Sequence, residues 1–186
     1  LEWRAVFNKN ASDKITVNDM IVKAVAASLE KYPRLNAHVI DNKIVLRKDI
    51  NVGVAVSVDD GLIVPVIPKA NEKSLSEISR TSKINAEGAR QGVLKTPAVS
   101  TFTISNLGMY AINSFVPIIN PPECGILGIG KIDKKVVVRD RNSIGIADVM
   151  NISIACDHRA VDGSYAAQFL NSIKQYLENF DQKIKD

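Results

Sequence analysis

Apolar positions recur along this chain at two periods, and the changes between them mark its elements. Val17, Met20, Ile21, Ala24, Val25, Ser28 and Leu29 repeat at helical spacing until Pro33 stops the run. Thr16, with Asp19 shortly after it, reads as the N-cap of that helix. Two short strands follow, 37–40 and 43–47, joined at Asp41-Asn42, a pair that accepts left-handed turn geometry. Residues 52–58 and 62–67 are nearly continuous in Val and Ile on either side of the turn Asp59-Asp60-Gly61, which predicts strands buried on both faces. Pro65 assigns the second of them to an edge or a bulge. Ser74 and Glu77 make a capping box for a polar helix to about Gln91, ended by Gly92 and Pro97. Further strands are expected at 101–105, 115–119, 125–129, 134–139 and 149–156. A last stripe, Ala166, Phe169, Leu170, Ile173, Leu177 and Phe180, predicts an amphipathic helix over about 164–180, with Asp162 and Ser164 both able to cap it. The opening through Lys14 carries no firm pattern, and Leu1-Glu2-Trp3-Arg4 reads as the tail of an element that begins upstream. A few helices among many strands imply an α/β (α+β) fold, a mixed sheet with helices packed on it, in one domain over residues 1–186.

Composition narrows the class without naming a function. An apolar fraction of 46% with 24% charged residues describes an ordinary globular chain. No run approaches 18 uncharged apolar residues, so no membrane span is expected, and no secretory or transit segment is visible. The net charge of +4 is scattered, whereas nucleic-acid binding needs a concentrated basic footprint. Cys124 and Cys156 are far apart and match no metal-ligand spacing, which fits a reducing compartment and no metal site.

The candidate chemistry gathers near the C-terminus. The chain has two histidines, His38 and His158. His38 lies on a strand beside Val39 and Ile40, a structural position. His158 lies in Ala155-Cys156-Asp157-His158-Arg159-Ala160-Val161-Asp162-Gly163, between a period-2 strand and the last helix, where rigid elements can hold a reactive group. Taken alone, that position favours a plain loop histidine, and Asp162 a plain cap. Cys156 shares its parity with Ile152 and Ile154, so it reads as an inert core thiol and not a nucleophile. Gly125-Ile-Leu-Gly-Ile-Gly130-Lys131 has phosphate-loop spacing, but Ile132 replaces the Ser/Thr that would hold magnesium and a strand follows in place of a helix. It reads as a buried strand whose glycines permit close backbone approach.

Asp157-His158-Arg159-Ala160-Val161-Asp162-Gly163 resembles the H-x-x-x-D-G signature of coenzyme A-dependent acyltransferases, the group that includes chloramphenicol acetyltransferase. Asp60-Gly61-Leu62-Ile63-Val64-Pro65-Val66-Ile67, Thr101-Phe102-Thr103-Ile104-Ser105-Asn106-Leu107-Gly108 and Ile118-Ile119-Asn120-Pro121-Pro122-Glu123 resemble, in the same order, the catalytic domain of dihydrolipoamide acyltransferases, the core component of 2-oxo acid dehydrogenase complexes. Thr16-Val17-Asn18-Asp19 and Pro33-Arg34-Leu35-Asn36-Ala37 fit as well, so the resemblance runs from about Ile15 to Phe180. It implies a chloramphenicol-acetyltransferase-like fold, trimers, and acyl exchange between coenzyme A and a lipoyl group carried on a separate domain. His158 would be the general base and Ser105 the hydroxyl that stabilises the oxyanion, contributed by different subunits. Asp162 would either fix the loop around His158 or assist at the intermediate. Asn106, Leu107, Gly108, Asn120 and Pro121, with the 60–67 strand, would line the channel for coenzyme A and the lipoyl arm. Asn106-Leu107-Gly108-Met109-Tyr110 and Ile119–Pro122 resemble the acetyl-transferring relatives of pyruvate dehydrogenase.

The same resemblance implies lipoyl domains, an oxidative decarboxylase and dihydrolipoamide dehydrogenase as partners, no nucleic acid and no membrane. The location it implies is intracellular: cytoplasmic in a bacterium or archaeon, the mitochondrial matrix in a eukaryote. It also implies that the first strand of the domain lies before residue 1. The segment 94–100 is shorter than in the family, and the polar end 181–186 replaces a Leu-rich one, which weighs against a cubic or dodecahedral shell. Two alternatives stay open: a catalytically silent structural core, and an acyltransferase for another small acceptor.

Overall fold

The computed structural model describes residues 1–186 except 12, 60, 94–97, 141–142 and 184–186. The opening is not featureless: Glu2–Asn10 form a helix, α1, in which Trp3 and Phe7 stack at 5.0 Å and Trp3 meets Phe180 edge-on. Its one-turn aromatic pair is the only local cue, and the partner ring lies at the far end of the chain.

The capped helices form where their local signals stand. Val17–Lys31 is α2: the Thr16 side chain accepts from the Asp19 amide while the Asp19 carboxylate accepts from the Thr16 amide. Leu75–Arg90 is α3, opened by the same reciprocal bonds between Ser74 and Glu77. Of the two caps expected for the last long helix, α4 (Gly163–Glu178), Asp162 fills the role; a short α5 (Phe180–Lys183) follows. Strands β1 (Ala37–Ile40) and β2 (Lys43–Leu46) form a hairpin whose turn residues, Asp41 and Asn42, both have positive φ.

The two Val/Ile-rich segments each break in two. Val52–Val54 (β3) and Val66–Ile67 (β6) join the main sheet, whereas Val56–Val58 (β4) and Gly61–Ile63 (β5) pair separately. Pro65 has no amide to donate, so the ladder cannot run through it. The expectation of burial on both faces fails for β4 and β5, where Leu62 is 64% exposed; within the turn that joins them, Asp60 lies outside the described residues. Leu94–Pro97 of the shortened segment and the last three residues of the tail do so too.

Five strands form the main sheet in the order β6-β3-β7-β8-β9, with β7 at Phe102–Asn106, β8 at Gly125–Asp140 and β9 at Ser143–Cys156. β7 runs parallel to both neighbours while β8 and β9 are antiparallel, so the sheet is mixed. The segments expected as separate strands at 125–129 and 134–139 are one long strand, because a register shift between Ile129 and Ile132 bends it without ending it. The phosphate-loop-like glycines accordingly lie inside β8.

Side-chain parity divides the sheet into two faces. Phe102, Ile104, Leu127, Ile129, Ile152, Ile154 and Cys156 join α2 and α4 in one apolar core. Ser105, Gly128 and Ser153 stand abreast in register on the other face. That face is covered by the segment expected as a strand at 115–119, which forms no strand. Its anchors are single bonds: Lys131 N–H to Ile112 O at 2.7 Å and Ser153 Oγ to Phe115 O at 2.6 Å. Pro117 is buried there without an amide to offer a ladder, and Val116 and Ile118 point outward at 82% and 89% exposure. Among the described residues no helix is long and apolar enough to cross a membrane.

Candidate active site

Ser105 sits on the central strand, and its surroundings leave its hydroxyl open. The residue is half-buried, its strand is paired on both sides, and Oγ has no hydrogen-bond partner among the described residues. Just past it, Asn106 Nδ2 donates to Asn18 Oδ1 at 2.7 Å, and Asn106 Oδ1 accepts from the Gly108 amide at 2.8 Å. Leu107 N–H bonds Ile129 O, fastening the 106–108 bend to β8. A cavity of about 230 Å³ lies beside Asn18, walled by Val54, Val56, Pro65 and Ile67, so part of the 60–67 segment does line a concave surface. Asn18 is a residue the sequence reading quoted only as part of a match; its signal was its place in Thr16-Val17-Asn18-Asp19. A larger cavity of about 710 Å³ between α2, β9 and α4 is lined by none of the expected site residues.

Asn120 and Pro121 stand at the other end of the covering segment, where Pro121-Pro122 is a cis peptide. Asn120 Nδ2 donates to Glu123 Oε1 at 3.1 Å. Glu123 is 3% exposed, and burial pushes its carboxyl above the ordinary range against the opposing effect of its hydrogen bonds.

His158 lies in the turn from β9 to α4, exposed, with no side-chain hydrogen bond among the described residues. The turn around it is well held. Asp157 N–H bonds Cys124 O, Asp157 accepts from the Arg159 guanidinium at 2.6 Å, and Arg159 also reaches Asn42. Arg159 therefore pairs with Asp157 and holds its carboxyl below the usual carboxylate range. Asp162 accepts from the Tyr165 amide at 2.9 Å, and that bond lowers its pKa. Cys156 has its thiol pushed up to about 11 by burial, as inert as its parity implied. His38 is buried, with Nε2 2.9 Å from Ser100 O; a carbonyl only accepts, so the ring donates, which is a structural role.

One chain does not bring Ser105 and His158 together. Ser105 is abreast of Ser153, two strands across, and the β9 strand runs on to Cys156 before the His158 turn begins. Sheet spacings put Ser105 on the order of 14 Å from Cys156, the last strand residue before the His158 turn. Among the described residues no group of three His, Cys, Asp or Glu side chains could hold a metal ion.

Comparison with known proteins settles the family. The model of the 2-oxoacid dehydrogenases acyltransferase catalytic domain matches residues 1–184. The chain belongs to this family. A Rickettsia felis relative, the dihydrolipoyllysine-residue acetyltransferase component of pyruvate dehydrogenase complex, is 38% identical over 176 residues, 93% of this chain. The chain spans 42% of that relative's length. A solved cubic core of the pyruvate dehydrogenase multienzyme complex superposes with a TM-score of 0.90 at 31% identity, over 96% of this acyltransferase-family chain and 76% of that one. The Azotobacter vinelandii dihydrolipoamide acetyltransferase, solved to investigate a serine, a histidine and an asparagine in its catalytic mechanism, gives 0.90 at 30% identity, over 96% of this chain and 76% of that one. Chloramphenicol acetyltransferase, at 13% identity and a TM-score of 0.56 over 87% of this chain and 74% of that one, shares the fold.

Proposed function

We propose that this chain is the catalytic core of a dihydrolipoamide acyltransferase, moving an acetyl group between dihydrolipoamide and coenzyme A. Membership of the family, joined to an imidazole and a hydroxyl that both lack a hydrogen-bond partner among the described residues, carries the reading. A free thiol has a pKa near 8.5 and is only a few per cent thiolate at pH 7, so an imidazole base is well matched to take its proton during attack. His158 is that base. The thiol sulfur attacks the thioester carbonyl of the other substrate, and Ser105 Oγ–H donates to the oxyanion that forms. Collapse expels the second thiolate, which recovers the proton from His158. No acyl-enzyme is needed, because the nucleophile arrives with the substrate.

Asp162 acts through the loop: its cap bond anchors the start of α4 and so the turn that carries His158. In the Azotobacter vinelandii enzyme the histidine and asparagine studied are four positions apart, the spacing of His158 and Asp162, and Asn and Asp are equally good caps. Asn106, Leu107, Gly108, Asn120 and Pro121 line the approach. The separation of His158 from Ser105 in one chain supports a site built between neighbours in a trimer, with lipoyl domains and the other components of a 2-oxo acid dehydrogenase complex as partners. The silent-scaffold alternative needed a distorted Ser105 strand. β7 is regularly paired along its length, which favours the enzyme.

The test is transfer from acetyl-coenzyme A to dihydrolipoamide by the assembled protein. His158→Ala should lose about 10²–10⁴-fold and Ser105→Ala roughly 10²–10³-fold in turnover. A folded trimer that transfers nothing, or transfers equally well without His158, overturns the proposal.

A further inference from the structure

We propose that Glu123 is a positioning residue for acyl transfer, tying the Asn120–Pro122 loop to β7 and so holding the Ser105 hydroxyl in register with bound substrate. This rests on the function proposed above and adds to it a residue that touches no reacting atom. Glu123 Oε1 collects three donors: Ser100 Oγ, Thr103 Oγ1 at 2.9 Å and Asn120 Nδ2 at 3.1 Å. Thr103 lies on the same strand and the same face as Ser105; Asn120 belongs to the loop at the far end of the covering segment. One oxygen thus joins the strand that presents the hydroxyl to the loop that borders the approach. Its partner Oε2 is buried and has no partner among the described residues.

The loop needs such an anchor for a simple reason. Pro117, Pro121 and Pro122 have no amide to donate, and no residue from 113 to 120 joins a strand. Its downstream end is held by backbone bonds, where Val39 N–H reaches Pro122 O and Cys124 N–H reaches Ala37 O. His38 closes the arrangement from behind by donating to Ser100 O. Oε2 is sealed from water and burial raises the carboxyl's pKa; Gln keeps the side chain's shape and its accepting oxygen. Ala removes the acceptor and leaves the buried Thr103 hydroxyl and the half-buried Ser100 and Asn120 donors to re-form their bonds elsewhere, which loosens the loop from the strand.

The assembled protein is assayed with acetyl-coenzyme A and dihydrolipoamide. Glu123→Ala is expected to lower kcat about 10–100-fold, the scale of a small misplacement at a reacting centre, with KM changed less than about threefold. Glu123→Gln restores kcat to within about threefold of the parent. Placed on Ser105→Ala, Glu123→Ala costs nothing further, because it acts through that hydroxyl. An unchanged kcat in a folded Glu123→Ala trimer, no rescue by Gln, or a loss that multiplies on the Ser105→Ala background overturns the inference. Should Glu123→Ala not fold, Thr103→Val removes the strand-side bond to Glu123 together with the 3.4 Å bond that Thr103 Oγ1 accepts from Asn120 Nδ2: a several-fold fall in kcat upholds the inference and an unchanged kcat overturns it. Absence of transfer by the parent removes the functional reading itself, whereas transfer by the parent that Glu123→Ala matches removes only the role of Glu123.

Discussion

At the scale of single residues, the buried carboxyl of Glu123 also makes a thermodynamic signature. Its ordinary pKa is 4.5 and burial raises it, with donors from Ser100, Thr103 and Asn120 and the nearby His38 pulling the other way. Below the ordinary value the group is neutral folded and unfolded, and it costs nothing. As the pH climbs beyond 4.5 the unfolded chain ionises first, so the folded state loses stability until its own carboxyl follows. Glu123→Gln lacks this titration. Its melting temperature, compared with the parent at each pH, should therefore gain steadily from about pH 4.5 toward neutrality; parallel curves would show that burial does not perturb the group. Nothing in the sequence announced this residue except its place after Pro121-Pro122, because the four groups that gather around it come from three stretches, at 38, 100–103 and 120.

At the scale of elements, what was legible followed the range of the interaction. The starts of α2, α3 and α4 could be read because each cap is settled within four residues, and the hairpin at Asp41-Asn42 for the same reason. The covering segment could not: Phe115–Ile119 has the alternation of a strand, yet it spends that pattern lying across the sheet at Gly128, where Phe115 and Pro117 take the space a side chain would need. Nor could α1, whose aromatic pair finds its support at Phe180. Gly130 gives this layering a direct test. A Cβ there would come within 2.1 Å of Asn113 O, a backbone atom that cannot swing aside. Gly130→Ala should cost about 1–3 kcal/mol in urea unfolding and lift residues 111–119 from the sheet, lowering acyl transfer as well. A variant as stable and active as the parent would mean the segment is loosely held.

At the scale of the whole molecule, the motif around His158 was readable, whereas its placement on a different subunit from Ser105 was implied only by the family resemblance. Sequence order says nothing about two strands and a turn of separation; pairing register does. That separation makes a mixing experiment informative. His158→Ala chains and Ser105→Ala chains, each inert alone, should regain about a quarter of parental activity when unfolded together and reassembled in equal amounts, since one head-to-tail contact in four then unites an intact imidazole with an intact hydroxyl. No recovery would place both groups in one subunit's site and contradict the interface reading.

The distance between those two side chains also makes the rate a matter of protein concentration. With the site built between neighbours as proposed, a dispersed copy would own half of each of two sites and complete neither. Turnover per chain should therefore collapse on dilution below the point where copies part company, while circular dichroism still reports folded protein. For such a chain, abundance itself becomes a rate-controlling variable: a cell making half as much could lose more than half of its acyl flux.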